Sequence, residues 1–246
     1  MNPSPTTDLE VPERALAIGA HPDDIEFGSG GTLAKWAAAG CRIFHLVCTD
    51  GSKGSWEPGA DIAALVATRR DEQREAARRL GGRPGDVAFC GWVDGELASG
   101  LTERARVCHW IRTLRPEVVL GHDPWKRYRL HPDHRHAGHL AVEGIVAARD
   151  PHFFPEQGAA PHRPRRLLLW EADEADHVED IEATFETKLE ALLAHRSQYA
   201  TTMEVTDPAS AEELATFRQR LRDRAAEHGA TAGLALGERF KLLERL

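Results

Sequence analysis

The run ALAIGAHPDDIEFGSGGTLAKWAAAG, residues 15–40, decides the fold. Its first six residues are an apolar stretch of strand length, and GTLAKWAAAG (31–40) reads as a helix closed by Gly40. Between them stands a polar turn opened by His21-Pro22-Asp23-Asp24. The alternation continues outward. RIFHLVCT (42–49) is a second strand, followed by a Gly/Ser loop, and residues 61–80 form an amphipathic helix stopped by Gly81-Gly82. VAFC (87–90), the helix ERARVCHWIRTLR (103–115) and the strand EVVLG (117–121) come next. HAGHLAVEGIVAAR (136–149) is a helix, LLLW (167–170) a fifth strand, and two further helices are expected at 182–194 and 210–227. Strands alternating with helices of this length predict an α/β fold, a Rossmann-like three-layer sandwich with a mostly parallel sheet. Residues 15–246 are expected to form one domain, preceded by a flexible leader at 1–14.

The chain has 246 residues and a formal net charge of -8, which argues against a nucleic-acid backbone as partner. No apolar run approaches the ~18 residues of a membrane span. MNPSPTTDLEVPER lacks the basic and apolar segments of a secretory signal, so a cytoplasmic location is expected. The four cysteines (Cys41, Cys48, Cys90, Cys108) form no C-x-x-C pair and read as buried thiols.

Ligands on parallel sheets sit at the carboxyl ends of the strands. HPDD follows the first strand, TDGSKG the second, CGWVDG the third and HDPWKRYRLHPDH the fourth. An imidazole and a carboxylate three residues apart, as in His21 and Asp24, can turn onto one cation. In His131-Pro132-Asp133-His134, Pro132 suits a first helical turn, so His131 and His134 share a face. Two histidines and one aspartate make a three-ligand catalytic site with a position left for water. Each motif alone is as well explained by a capped turn; the pair, at strand ends of one sheet, is not.

AIGAHPDDIEFGSGGTLAKWAAAG and RYRLHPDHRHAG resemble the LmbE/PIG-L family of N-acetylglucosaminyl deacetylases, which includes enzymes of mycothiol and bacillithiol synthesis. TRRDEQREAARRLG, FCGWVDGEL, LRPEVVLGHDP and ETKLEALLAHRSQ follow the same pattern in order. The resemblance implies a zinc-dependent hydrolase that removes the acetyl group from an N-acetylglucosamine-type glycoside. His21, Asp24 and His134 would hold Zn²⁺, with Fe²⁺ an alternative in the cell. Asp23 would be the general base, His131 the group that stabilises the oxyanion or protonates the amine, and Asp133 the orienter of His131. Arg69 would grip sugar hydroxyls and Asp94 would touch substrate. The expected partner is a small acetamido glycoside, without nucleic acid or membrane; a homo-oligomer is compatible with this reading.

An amidase acting on a larger amide, such as a mycothiol S-conjugate, is the first alternative. A nucleotide-binding module is the second, suggested by Gly28-Ser29-Gly30-Gly31. Leu33 occupies the third glycine position of G-x-G-x-x-G, so close packing of helix on strand explains these glycines better. His45 reads as a core residue and Asp123 as a loop cap or a support for a metal histidine. His195 and Tyr128 gain no derived role.

Overall fold

The computed structural model describes residues 4–246. One eight-stranded sheet organises them, built from β1 (Thr6–Thr7), β2 (Arg14–Gly19), β3 (Arg42–Thr49), β4 (Val87–Trp92), β5 (Val118–His122), β6 (Arg166–Trp170), β7 (His177–Asp180) and β8 (Gly237–Leu243). Their order across the sheet is β1-β7-β8-β6-β5-β2-β3-β4. Only β8 runs antiparallel to its neighbours, β6 and β7. The helices are α1 (Asp24–Ala38), α2 (Ile62–Arg79), α3 (Leu101–Leu114), α4 (Pro132–Arg149), α5 (Phe185–Leu192) and α6 (Ala211–Ala230).

Successive side chains of a strand point to opposite faces, and β2 is apolar on both. Leu16 and Ile18 join Leu46, Val119 and Leu169 under Val107, Ile111 and Leu140 of α3 and α4. Ala15 and Ala17 join Ile43, Val47, Leu120 and Leu168 under Leu33 and Trp36 of α1 and Ala76 of α2. The expected three-layer α/β sandwich with a mostly parallel sheet is therefore present.

Three local expectations are corrected. The first helix starts at Asp24 rather than at residue 31, with non-helical dihedrals at Ser29 inside it. Glycines that read as loop are helical because α1 lies against neighbours that leave no room for a side chain. A Cβ on Gly28 would stand 2.5 Å from the Trp170 ring, and one on Gly31 2.7 Å from Ile181. Secondly, β7 and β8 extend the sheet beyond LLLW; GERFKLL (237–243) mixes charged and apolar residues and gives no strong strand signal. Thirdly, within the expected leader 1–14, Thr6 and Thr7 pair with His177 and Val178 as an edge strand. Residues 1–3 of that leader lie outside the described residues.

The kink in α1 exposes backbone amides that a helix interior would satisfy itself. The Glu238 carboxylate accepts from Gly31 N (2.9 Å), Thr32 N (2.8 Å) and Thr32 Oγ1 (2.6 Å). These are amides of the kind a phosphate takes in a nucleotide loop. A protein carboxylate occupies them here, which removes the physical basis of the nucleotide-binding alternative.

After β2 the chain adds β3 and β4 on one side, then returns to place β5 on the other side of β2. The gap beyond the carboxyl ends of β2 and β5 is thus a topological switch point, where such sheets bind ligands. HPDD leaves β2 there, and HPDH follows β5.

Candidate active site

Asp23 caps α1 with φ 98°, left-handed backbone that an aspartate adopts only when its surroundings impose it. Gln73 of α2 supplies one constraint. Its Oε1 accepts Asp23 N–H at 3.0 Å, while its Nε2 donates to Glu26 Oε1 at 2.7 Å. A backbone N–H only donates, so the Gln73 oxygen faces Asp23 and its amide nitrogen faces Glu26. Arg69 supplies the other constraint, donating to Pro22 O (2.7 Å) and Gly51 O (3.0 Å). Its Nη2 lies 3.6 Å from Asp23 Oδ2. Burial raises the Asp23 pKa to about 6, with Arg69 opposing and Asp24 adding to the rise.

Asp24 is the focus of the histidines. Its Oδ2 accepts from His21 N at 2.7 Å and lies 3.4 Å from His21 Nδ1, and its Oδ1 lies 3.3 Å from His134 Nε2. His122, at the end of β5, approaches Asp24 Oδ2 at 3.2 Å through Nε2. Trp170 Nε1 donates to His122 Nδ1 at 2.9 Å. An indole N–H can only donate, so the neutral His122 ring carries its proton on Nε2 and gives it to Asp24. His122 is a site residue that the sequence reading passed over in favour of Asp123. The structure gives Asp123 the plain role of a loop cap, accepting Trp125 N at 2.9 Å. The signal was a histidine ending a strand beside two others, hidden because its partner Trp170 is distant in sequence.

The remaining expected residues are close by, with different partners. His131 caps α4, and its Nδ1 accepts Asp133 N at 3.3 Å. Its ring stands 4.5 Å from His21 and 5.0 Å from His134. Partial burial and repulsion from His21 and His134 lower its pKa, against the pull of Asp133 and Asp94. The expectation that Asp133 orients His131 is corrected: its carboxylate turns to His21 and two backbone amides instead. It is fully buried and accepts from Gly95 N (2.6 Å) and Leu97 N (3.2 Å), and it lies 3.1 Å from His21 Nε2. Asp94 sits on the same nitrogen at 3.1 Å and accepts Lys53 N, so it faces His21 rather than open solvent. Arg69 is likewise 3% exposed, with its Nη groups spent on backbone carbonyls. Neither Asp94 nor Arg69 projects as a free substrate contact.

Among the described residues, three groups present ligand atoms within 4.8 Å of one another: His21, His131 and His134; His21, Asp94, His131 and Asp133; and Asp24, His122 and His134. The expected trio of His21, Asp24 and His134 is split across these sets, although its members adjoin in pairs through Asp24. Burial opposes protonation of His21, yet Asp133, Asp24 and Asp94 outweigh it and hold its pKa well above the usual value. Three carboxylates, Asp24, Asp94 and Asp133, crowd onto the imidazoles, a deficit of positive charge that a divalent cation bound by nitrogen and oxygen would relieve. The donor set fits zinc or iron(II). A cavity of about 250 Å³ opens on Asp23, Asp24, His122 and His134, walled by Phe27, Trp170, Glu171, Thr202 and Arg224.

A family model described as PIG-L, GlcNAc-PI de-N-acetylase, matches residues 16–145. A diacetylchitobiose deacetylase of Thermococcus kodakarensis is 34% identical over 190 residues, which are 76% of this chain and 70% of that protein. A 1D-myo-inositol 2-acetamido-2-deoxy-alpha-D-glucopyranoside deacetylase of Streptomyces avermitilis is 34% identical over 174 residues, 61% of this chain and 58% of the relative. This chain thus spans less than two thirds of that second relative. Among solved structures, the N,N'-diacetylchitobiose deacetylase from Pyrococcus horikoshii superposes with a TM-score of 0.85 at 29% identity, covering 95% of this chain and 84% of that one.

Proposed function

The chain belongs to the PIG-L family of de-N-acetylases, and on that premise we propose that it hydrolyses the acetamide of an N-acetylglucosamine-type glycoside with a divalent metal, zinc by preference. The observation that carries this reading is the meeting of Asp23, Asp24, His122 and His134 in one cavity at the switch point of the sheet. His21, Asp24 and His134 would hold the cation. When bound it would supply Lewis-acid polarisation of the acetyl carbonyl and acidify water.

The chain's own residues would do the rest. Asp23, buried and short of hydrogen-bond donors, would take the proton of the attacking water, since its raised pKa suits a base near neutral pH. His122 would hold Asp24 in its rotamer through the Nε2 proton. Asp133 and Asp94 would fix the ring of His21 from its far nitrogen, a carboxylate–histidine arrangement that orients a ligand. His131 has Nδ1 engaged by a backbone N–H, which leaves Nε2 to carry a proton to the departing amine. Arg69 would act by holding the Pro22–Asp23 turn rather than by gripping sugar. The products are acetate and the free amino sugar.

The test is acetate release from a panel containing N,N'-diacetylchitobiose, methyl N-acetylglucosaminide and simple N-acetyl amines, with chelated and zinc-reloaded protein. Release confined to the acetamido sugars and to the reloaded protein is expected. Turnover of larger amides alone would favour the amidase alternative, and full activity after chelation would overturn the metal-dependent reading.

A further inference from the structure

Behind the Asp23 turn lies a buried polar chain that the proposed reaction does not use. Glu26 and His195 are fully buried, and His45 nearly so. Glu26 Oε1 accepts from Gln73 Nε2 at 2.7 Å and stands 3.8 Å from His45 Nε2. Glu26 Oε2 stands 3.3 Å from His195 Nε2. That contact is an ion pair rather than an aligned hydrogen bond, and neither ring nitrogen of His195 makes a hydrogen bond among the described residues. No Lys or Arg pairs with Glu26 among those residues, so its counter-charge is an imidazole.

Of the two imidazoles, His195 fits that part. Burial opposes its protonation, but Glu26, Asp23 and Glu72 outweigh burial and raise its pKa. Burial lowers the pKa of His45; Glu26 and Asp86 pull the other way, and His195 adds repulsion. His195 is also held from outside. The turn Arg196–Gln198 that follows it docks on α2, where Glu72 accepts from Ser197 N (2.8 Å) and Ser197 Oγ (2.6 Å). Gln198 Nε2 donates to Gly54 O at 3.2 Å, on the loop whose Gly51 O takes Arg69. Glu72 and Gln73 are consecutive on α2, so the segment that places His195 is fastened beside the amide that holds Asp23 N–H. Removing one member of a buried ion pair leaves the other uncompensated, and it moves toward other donors. Were Glu26 to move, Gln73 Nε2 would lose its acceptor, and the amide oxygen would be free to leave Asp23.

We propose that His195 is a positioning residue for the base: paired with Glu26, it fixes the Gln73 amide, and through Gln73 it holds the left-handed backbone of Asp23. That Asp23 is the base rests on the deacetylase reading; the linkage from His195 to the Asp23 N–H does not.

The experiment is amide hydrogen exchange followed by NMR in zinc-loaded, isotope-labelled protein, with kcat and KM for acetate release from N,N'-diacetylchitobiose measured alongside. In His195→Leu the Asp23 amide should exchange about tenfold or more faster, while Ile18 and Leu46 in the sheet keep their protection. There kcat should fall about 10- to 100-fold with KM and zinc content kept, the loss expected when a reacting group is displaced by about an ångström. His195→Gln, whose amide nitrogen can stand where Nε2 does, should restore most of both. His195→Asn, whose amide ends at the Nδ1 position, should not, and it replaces the leucine variant if that one does not fold. Gln73→Leu should free the Asp23 amide by itself, and adding His195→Leu to it should free that amide no further. Unchanged Asp23 exchange in the folded variants, equal exchange in the glutamine and asparagine variants, or a uniform loss of protection across the sheet would overturn the proposal. A parent that releases no acetate would reject the deacetylase reading and leave the exchange result standing.

Discussion

Glu238 and Asp23 are both buried carboxylates set against α1, one at its kink and one at its start. Glu238 is saturated: two backbone amides, the Thr32 hydroxyl and the Lys188 ammonium all converge on it. Asp23 is starved. No hydrogen bond reaches its carboxylate among the described residues, its cationic neighbour Arg69 stands off at 3.6 Å, and its backbone is left-handed. A buried charge with every lone pair occupied is a fastener, whereas one denied its donors is poised to take a proton. Two buried carboxylates are thus set against one helix, one saturated and one starved, and what separates them is the number of donors supplied.

The widest expected difference is catalytic. Asp23→Asn should keep its metal, measured by elemental analysis, and lose about 10²–10⁴-fold in kcat, the usual span for a general base. Asp24→Asn should instead lose the metal, because on the proposed reading it removes the anionic ligand. Metal loss in Asp23→Asn with retention in Asp24→Asn would exchange their roles.

The saturated carboxylate should show its effect in stability. Glu238→Ala strands Lys188 and two amides in the interior, and should lower the unfolding free energy by about 3–5 kcal/mol in denaturant titration. Activity of the folded fraction should survive. A cost below about 1 kcal/mol would mean that the clamp on α1 is not the fastener described.

The smallest effect concerns pH. The Asp23 pKa is raised in the fold to about 6 from 3.8, so the folded chain holds this proton more tightly than the unfolded chain does. In chelated protein, that group therefore weakens the fold increasingly as pH rises from about 4 to 6, and fully above. Asp23→Asn should be more stable than the parent at pH 7 by roughly 1–3 kcal/mol, and the gap should close toward pH 4. A gap independent of pH over that range would show that Asp23 is not starved after all.

Much of this was legible in residue order. The strand and helix alternation from residue 15 to 170 depends on local periodicity, and it correctly predicted a mostly parallel sheet with both faces covered. The strand-end positions of HPDD and HPDH also followed, because ligands on such sheets gather where strands end. The start of α1 did not. Glycines 28, 30 and 31 have poor helix propensity, and only the close approach of Trp170 to Gly28 and of Ile181 to Gly31 shows why residues without side chains stand inside this helix.

Sequence by itself determined the layer order, the edge of the sheet that bears the site and the residue types gathered there. Tertiary structure decided who serves whom. Asp133 turned to His21 and the β4–α3 amides, His122 took its proton position from Trp170, Arg69 closed on the Pro22–Asp23 turn, and Glu238 reached amides more than 200 residues away in the chain. The reason is physical. Periodicity fixes which face a side chain leaves from, but a carboxylate or imidazole chooses among donors by distance, and those donors arrive on loops that meet only once the sheet is assembled.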